Sequence, residues 1–223
     1  MHNWVDIYDT LQTDEQFTQN LVPSIRIQTS GQFLRLLNDY RRIILKPNER
    51  VKHGDTFVIE SKGNSNFIYQ AQKISELDQE QLRALVKHKI TDKPHFIQPY
   101  IICKTRLGNR YSLKLHVNKH GNQKWQLTAI YPQIARLGSM ITNPNYGGFT
   151  QKIELFLPQQ FGEQADNIKH DLVQFAPRFA SALGKISSGD SNMDIHEIVI
   201  NVVLDDLHNI WVFDVKNEVV DYE

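Results

Sequence analysis

The side chains most often used in catalysis occur in this sequence without the spacings of familiar catalytic motifs. Its nine histidines form no H-x-H or H-E-x-x-H pattern, so the sequence predicts no zinc site. Cys103 is the single cysteine and has no C-x-x-C partner, and we expect it to be a buried apolar residue. No G-x-S-x-G elbow and no Walker A loop occurs, which removes the signatures of α/β-hydrolases and P-loop proteins.

One lysine stands where a strand pattern gives way to a polar loop. The apolar run from Ile43 to Leu45 precedes Lys46, and Pro47 ends the pattern before the loop from Asn48 to Asp55. A positive charge at a strand end, beside a flexible loop, can act as a point charge toward an anionic group. A solvated lysine at the edge of a sheet is the alternative interpretation.

Charge and composition restrict the classes of function. The sequence has 25 Lys and Arg against 25 Asp and Glu, so its formal net charge is zero, whereas nucleic-acid-binding domains usually carry a basic excess. A single cysteine excludes an internal disulfide framework and favours a reducing compartment. The longest apolar stretch, from Ile198 to Leu204, is far shorter than the roughly 20 residues that span a bilayer, and the first ten residues lack the apolar run of a signal peptide. We therefore expect a cytoplasmic protein with no nucleic-acid polymer and no membrane as partner.

The first part of the chain predicts an N-terminal segment and one α+β lobe. Residues 1–28 hold a short helix from Trp4 to Leu11 and an extended connector. Residues 29–94 form the first lobe, which opens with a helix capped by Thr29 or Ser30. A hairpin turned at Lys62–Gly63–Asn64 follows the strand of Lys46, and a second helix runs from Glu76 to Lys89.

The rest of the chain predicts a second α+β lobe, residues 95–223. The stretch from Tyr111 to Ala135 alternates apolar and polar residues and predicts a hairpin turned at His120–Gly121–Asn122. The stretch from Ile195 to Val215 predicts a second hairpin, with its turn between Asp206 and Asn209. A long amphipathic segment from Ala165 to Ile186 lies between them. Antiparallel strands packed against helices give an α+β fold class for both lobes.

Six segments occur in an order and at intervals that resemble one known family. They are VPSIRIQTS, IILKP, HFIQPYI, LKLHVNKHGNQKWQLTAI, GSMITNPNYGG and HEIVINVVLDDLHNIWVFDV. This set covers the chain from about Trp4 to Glu218 and resembles the ATP-grasp domain of the YheC/YheD proteins, which are associated with the endospore coat. The resemblance implies an ATP-grasp-like fold whose two lobes, antiparallel sheets flanked by helices, grip ATP and Mg²⁺ between them. It also implies a reaction in which a carboxylate is activated as an acylphosphate and then attacked by an amine or thiol.

The resemblance assigns nucleotide-binding roles to five residues of the first lobe and the hinge. Lys46 and Lys52 stand where lysines would contact the phosphates, and Gln98, Tyr100 and Ile101 stand where hinge backbone would bind adenine. For Lys52 a plain surface turn is the alternative, because the loop keeps one glycine, Gly54. For the hinge the alternative is a buried crossing strand.

The resemblance also assigns a catalytic position and a substrate loop. Lys114 occupies the place of an arginine that faces the transferring phosphate, with an outward-facing strand lysine as the alternative. Asn143, Gly147 and Gly148 fall in the loop expected to shape the substrate site, and they can equally be turn residues.

The three metal-binding positions of the family hold Asn201, Asp214 and Lys216 in this chain. Mg²⁺ prefers hard oxygen ligands with carboxylate charge, and a protonated lysine offers no lone pair. A cation at this position would repel a metal by several kcal/mol at about 4 Å and an intermediate dielectric. Lys216 therefore either pairs with Asp214 or Glu218 at the surface, or replaces the metal at the phosphates.

Together these features predict a divergent ATP-grasp protein. Its ancestral activity would be ATP- and Mg²⁺-dependent carboxylate ligation, and we expect catalysis to be weakened or lost because the metal triad is altered. The alternative is a non-catalytic pseudoenzyme that acts as a binding or structural protein of the spore coat, with spore coat proteins as partners. A third hypothesis is metal-independent nucleotide binding in which Lys216 substitutes for Mg²⁺.

Overall fold

Two antiparallel sheets, each packed against helices, make up the computed structural model, which describes residues 4–48, 55–119, 124–187 and 196–217. The α+β fold class with two sheets is thereby confirmed. Within those residues no helix is both long and apolar enough to cross a membrane.

The first sheet has six strands in the order β1-β6-β2-β3-β4-β5, and α2 and α3 pack on it. Thr29 caps α2 as predicted, because its hydroxyl oxygen accepts a hydrogen bond from the Gln32 amide at 3.1 Å. The elements in this part of the chain are α1 (Trp4–Leu11), β1 (Ile25–Ile27), α2 (Ser30–Tyr40), β2 (Arg42–Pro47), β3 (Phe57–Lys62), β4 (Ser65–Gln70), β5 (Lys73–Leu77), α3 (Gln79–Asp92) and β6 (His95–Pro99).

The predicted start of the second helix at Glu76 is wrong. Glu76 belongs to β5, which pairs with β4 at the edge of the sheet. Asp78 then caps α3 through a capping box with Gln81, so that the helix begins at Gln79. Glu76 and Leu77, which the helical pattern assigned to the helix, pair with β4 instead.

The second sheet has five strands in the order β11-β10-β7-β8-β9. The predicted last hairpin is confirmed, whereas the turn predicted at 120–122 lies outside the described residues, and α4 was not predicted. The elements are β7 (Tyr111–Lys119), β8 (Trp125–Ile134), β9 (Phe149–Thr150), α4 (Ile153–Phe161), α5 (Ala165–Ser187), β10 (Glu197–Leu204) and β11 (Ile210–Asn217).

Each sheet has its own apolar core. The core of the first lobe joins α2, α3 and one face of the six-stranded sheet, whereas the core of the second joins α1, α4, α5 and one face of the five-stranded sheet. The strands β1 and β6 flank residues 29–94 in sequence and both belong to the first sheet. The division at 1–28, 29–94 and 95–223 stays a prediction.

Phe17 tests how firmly the N-terminal segment is docked on the second lobe. Its ring is 2% exposed and meets Phe175 and Phe179 edge to face, with centroids 6.0 and 5.2 Å away. We expect Phe17→Ala to lower the free energy of unfolding by about 3–5 kcal/mol in urea denaturation. The control Leu207→Ala, at an 82% exposed position, should stay within about 0.5 kcal/mol of the wild type. Equal effects of the two substitutions would contradict this packing.

Candidate functional site

A cavity of about 370 Å³ lies between the two sheets, and six of the residues singled out in the sequence line it. Lys46 comes from β2 of the first sheet, and the others come from the second sheet and its loop. The six are Lys46, Lys114, Asn143, Asn201, Asp214 and Lys216.

The strand register places three of these residues in one row across the second sheet. Asn201 on β10 is paired with Asp214 on β11 and with Lys114 on β7. Side chains at directly paired positions lie on the same face about 5 Å apart. Lys216 follows Asp214 by two residues and therefore lies on that face as well. The row is fixed by backbone pairing, whatever the chemistry of its side chains.

A β-bulge at Phe213 connects the two lobes. Asn201 pairs with Asp214 and Val202 pairs with Val212, so Phe213 is the extra residue on β11. Its carbonyl accepts a hydrogen bond from Gln98 Nε2 at 3.0 Å and one from Lys46 Nζ at 3.4 Å. Both donors belong to the first sheet, so this carbonyl sets where Lys46 enters the cavity.

Lys46 carries its charge in a partly apolar setting. Its Nζ lies 5.0 Å from the ring centroid of Phe213 and 6.0 Å from that of Phe96. Burial of the ammonium lowers the pKa of Lys46, the charge of Asp214 acts in the opposite direction, and Lys216 lowers the pKa further. An anion in the cavity would relieve this desolvation.

Asn201 lines the cavity, and its side chain holds a donor that no described residue satisfies. The residue is 5% exposed, and its Nδ2 has no hydrogen-bond partner in the described part of the chain. A buried donor without a partner costs about 1–3 kcal/mol, so an acceptor at this point would stabilise the site.

The loop before β9 closes one side of the cavity. The Asn143 side chain accepts from the Asn145 amide at 2.9 Å, and Gly147 has the left-handed φ of 82°. A Cβ on Gly148 would come within 2.8 Å of the Ile134 carbonyl oxygen, and within 2.9 and 3.1 Å of two further carbonyl oxygens of the loop. These three residues thus shape a close-packed turn; a role in substrate binding stays a prediction.

The predicted hinge residues lie outside this lining. Gln98 is fully buried, and besides Phe213 its Nε2 also contacts Ser24 Oγ at 3.0 Å. The Tyr100 amide donates to the Arg42 carbonyl at 3.0 Å, and the parts of Gln98 and Tyr100 in adenine binding stay predictions. Burial raises the pKa of the Tyr100 phenol to about 12, and the phenol donates to the Met140 carbonyl at 2.9 Å. Ile101 packs against the second core, and its part in adenine binding stays a prediction.

Lys52 lies outside the described residues.

The sequence analysis did not identify several residues of the cavity lining. Period-2 alternation from Lys114 could have found Ser112, whose Oγ lies 2.8 Å from Thr142 Oγ1, and pairing across to β8 leads from there to Gln133. No comparable signal marked Thr56 or Tyr146, which also line the cavity.

The residues at the implied metal position do not fit Mg²⁺. In residues 4–48, 55–119, 124–187 and 196–217, no group of three or more His, Cys, Asp or Glu side chains could hold a metal ion. The cavity lining offers the carboxylate of Asp214, the amide of Asn201 and the ammonium of Lys216. Mg²⁺ demands an octahedral set of oxygen ligands, and a lysine among them contributes repulsion instead of a ligand.

Comparison with known proteins identifies the family and the fold. The sequence matches the family model described as YheC/D-like ATP-grasp over residues 1–219. No curated protein matches it.

Three solved structures illustrate the similarity of fold. An ADP complex of N5-carboxyaminoimidazole ribonucleotide synthetase has a TM-score of 0.58 at 10% identity, covering 99% of this chain and 45% of the other. The Staphylococcus aureus N5-carboxyaminoimidazole synthetase with ADP gives 0.50 at 10% identity, covering 99% and 44%. The D-alanine-D-alanine ligase of Coxiella burnetii gives 0.51 at 9% identity, covering 95% and 46%. The chain thus spans less than half the length of these proteins.

Gly148→Ala tests the close packing of the loop. The added Cβ would meet three backbone carbonyl oxygens at 3.1 Å or less, so we expect a loss of about 1–3 kcal/mol in the free energy of unfolding. Gly31→Ala is the control, because the nearest atom to its Cβ would be 3.9 Å away and the position is helical. It should stabilise the protein by up to about 1 kcal/mol. Urea denaturation measures both, and tolerance of Gly148→Ala would contradict the packing.

Proposed function

This chain belongs to the YheC/D-like ATP-grasp family, and from that premise we propose that it binds ATP in the cavity between its two sheets, with ligase catalysis weakened or lost. The ancestral activity would be ATP- and Mg²⁺-dependent carboxylate ligation. Cytoplasmic localisation and association with spore coat proteins stay predictions from the sequence.

The observation that carries the proposal is the convergence of both sheets on one cavity. Lys46 of the first sheet and Lys114 and Asn201 of the second line the same space of about 370 Å³. Two lysines from opposite walls can hold a phosphate chain as point charges, and an amide N–H can donate to a phosphate oxygen. The structurally similar synthetases with ADP support a nucleotide as the ligand.

The same cavity supports the proposal that catalysis is weakened. Phosphoryl transfer to a carboxylate needs positive charge placed at the transferring group, and metal ions supply most of it in related chemistry. The donor set around Asp214 does not fit a metal, and Lys114 lacks the planar fork of an arginine. These residues can bind and orient phosphates, and their chemistry favours binding over turnover.

Lys46→Met should change the stability of the unliganded protein and its affinity for ATP in opposite directions. Because burial disfavours the Lys46 ammonium, its removal should raise the melting temperature without ligand. A charge-assisted contact with phosphate is worth about 1.5–3 kcal/mol, so the affinity for ATP should fall by about tenfold or more. Thermal denaturation and isothermal titration calorimetry measure the two effects.

The matched control is Lys73→Met, on an exposed position of β5 in the same sheet. It makes the same change of charge and should leave the affinity for ATP unchanged. A ligand present at about 100 times its dissociation constant stabilises a protein by about 2.7 kcal/mol. A wild type whose melting temperature does not rise in millimolar ATP would therefore contradict the proposal.

The loss of catalysis is tested separately by phosphate release. We expect no Mg²⁺-dependent ATP hydrolysis above the background of the Lys114→Met variant. A Mg²⁺-dependent rate that this substitution abolishes would show an active enzyme and overturn that part of the proposal.

A further inference from the structure

We propose that the Lys216 ammonium takes the place of a divalent cation, so that the cavity binds the triphosphate of a nucleotide without metal. This inference rests on the proposed function and adds to it how the charge of the ligand is neutralised. It is carried by the charge of the lining, the unsatisfied donor of Asn201 and the position of Lys216 on β11.

The charged residues of the lining favour an anion. Three lysines stand against one carboxylate: Lys46 on the first sheet, Lys114 and Lys216 on the second, and Asp214. A cleft lined by one sign of charge between low-dielectric walls attracts ligands of the opposite sign. The lining is therefore positive before any metal binds, which is the reverse of what a cation site requires.

Asn201 adds a hydrogen-bond donor to this positively charged lining. Asn201 is 5% exposed and lines the cavity. Its Nδ2 finds no partner in the described residues. An N–H group can donate to a phosphate oxygen and cannot ligate a cation. The unsatisfied atom at the centre of the row thus calls for an acceptor that the described residues do not supply.

The strand geometry lets Lys216 reach the same place. Lys216 and Asp214 lie two residues apart on one face of β11, about 6.6 Å along the strand. The residue paired with Lys216 is Val199, which offers the ammonium no side-chain partner across the strands. Lys216 is exposed, and its flexible four-carbon stem can swing toward an anion held beside Asn201.

Calorimetric titration of the full chain with ATP, once in EDTA and once in MgCl₂, tests the inference. We expect the wild type to bind in EDTA with an affinity within about threefold of that in MgCl₂. Lys216→Asn should weaken binding in EDTA by about tenfold or more, as the loss of a charge-assisted contact does. Lys73→Asn is the matched control and should bind as the wild type does.

The outcomes separate the inference from the proposed function. Binding in MgCl₂ but not in EDTA would overturn the inference and leave the proposed function standing. Binding in EDTA that Lys216→Asn leaves unchanged would also overturn it. Absence of binding in both solutions would refute the proposed function itself.

A back-substitution gives an independent test. The double variant Asn201→Asp with Lys216→Asn replaces the cation by a neutral oxygen and adds a second carboxylate beside Asp214. We expect its affinity for ATP to rise about tenfold or more between EDTA and MgCl₂, while the wild type shows no such dependence. A folded double variant, verified by its melting curve, that binds equally in both solutions would contradict the placement of Lys216 at the metal position.

Discussion

The carbonyl of Phe213 is the contact on which the geometry of the cleft depends. The bulge leaves Phe213 without a paired residue on β10. Gln98 and Lys46, from two adjacent strands of the first sheet, both donate to it. The two sheets are therefore held together at the point where the side chains of the cavity meet. Gln98 is fully buried, so its hydrogen bond to this carbonyl is shielded from water and hard to replace.

Two residues of the cavity lining, Lys46 and Asn201, carry donors that are poorly satisfied by the described residues. The Lys46 ammonium is desolvated by its neighbours and has a long contact of 3.4 Å with the Phe213 carbonyl. Asn201 Nδ2 is buried with no described partner. Each arrangement is unfavourable without a ligand, and an anionic ligand would satisfy both at once. The unliganded protein is therefore less stable at this junction than it would be with an anion bound there.

The hairpins were predictable from the sequence because their local pattern and their tertiary environment agree. Strand β7 alternates between core and cleft, and that alternation is visible in its residues, whereas β10 is recognisable as an apolar run broken by Asn201. Helix α4 contains Pro158, and most residues of β5 are exposed. Neither segment therefore shows a clear periodicity of apolar residues.

The site was predictable to the extent that it depends on strand positions. The family resemblance assigned Lys114, Asn201 and Asp214, and the strands that carry them pair so that the three lie in one row. The pairing of the Tyr100 amide with Arg42 and the bulge at Phe213 depend on which backbone groups meet across the folded sheets. Nothing in the sequence of β11 indicates which of its residues is skipped.

The two faces of the second sheet obey separate constraints, and this explains how the fold can persist with a different cleft chemistry. On β10, Ile198, Ile200 and Val202 enter the core, whereas Asn201 faces the cavity between them. On β11 the core takes Val212 and Val215, and the cavity takes Asp214 and Lys216. Replacing a carboxylate by an amide or a lysine on the cleft face leaves the buried apolar area of the other face unchanged, so the packing of the core does not oppose it. Chains that share this sheet can therefore carry different charged residues on the cleft face. The group that would neutralise a bound ligand must be inferred from those cleft residues rather than from the fold.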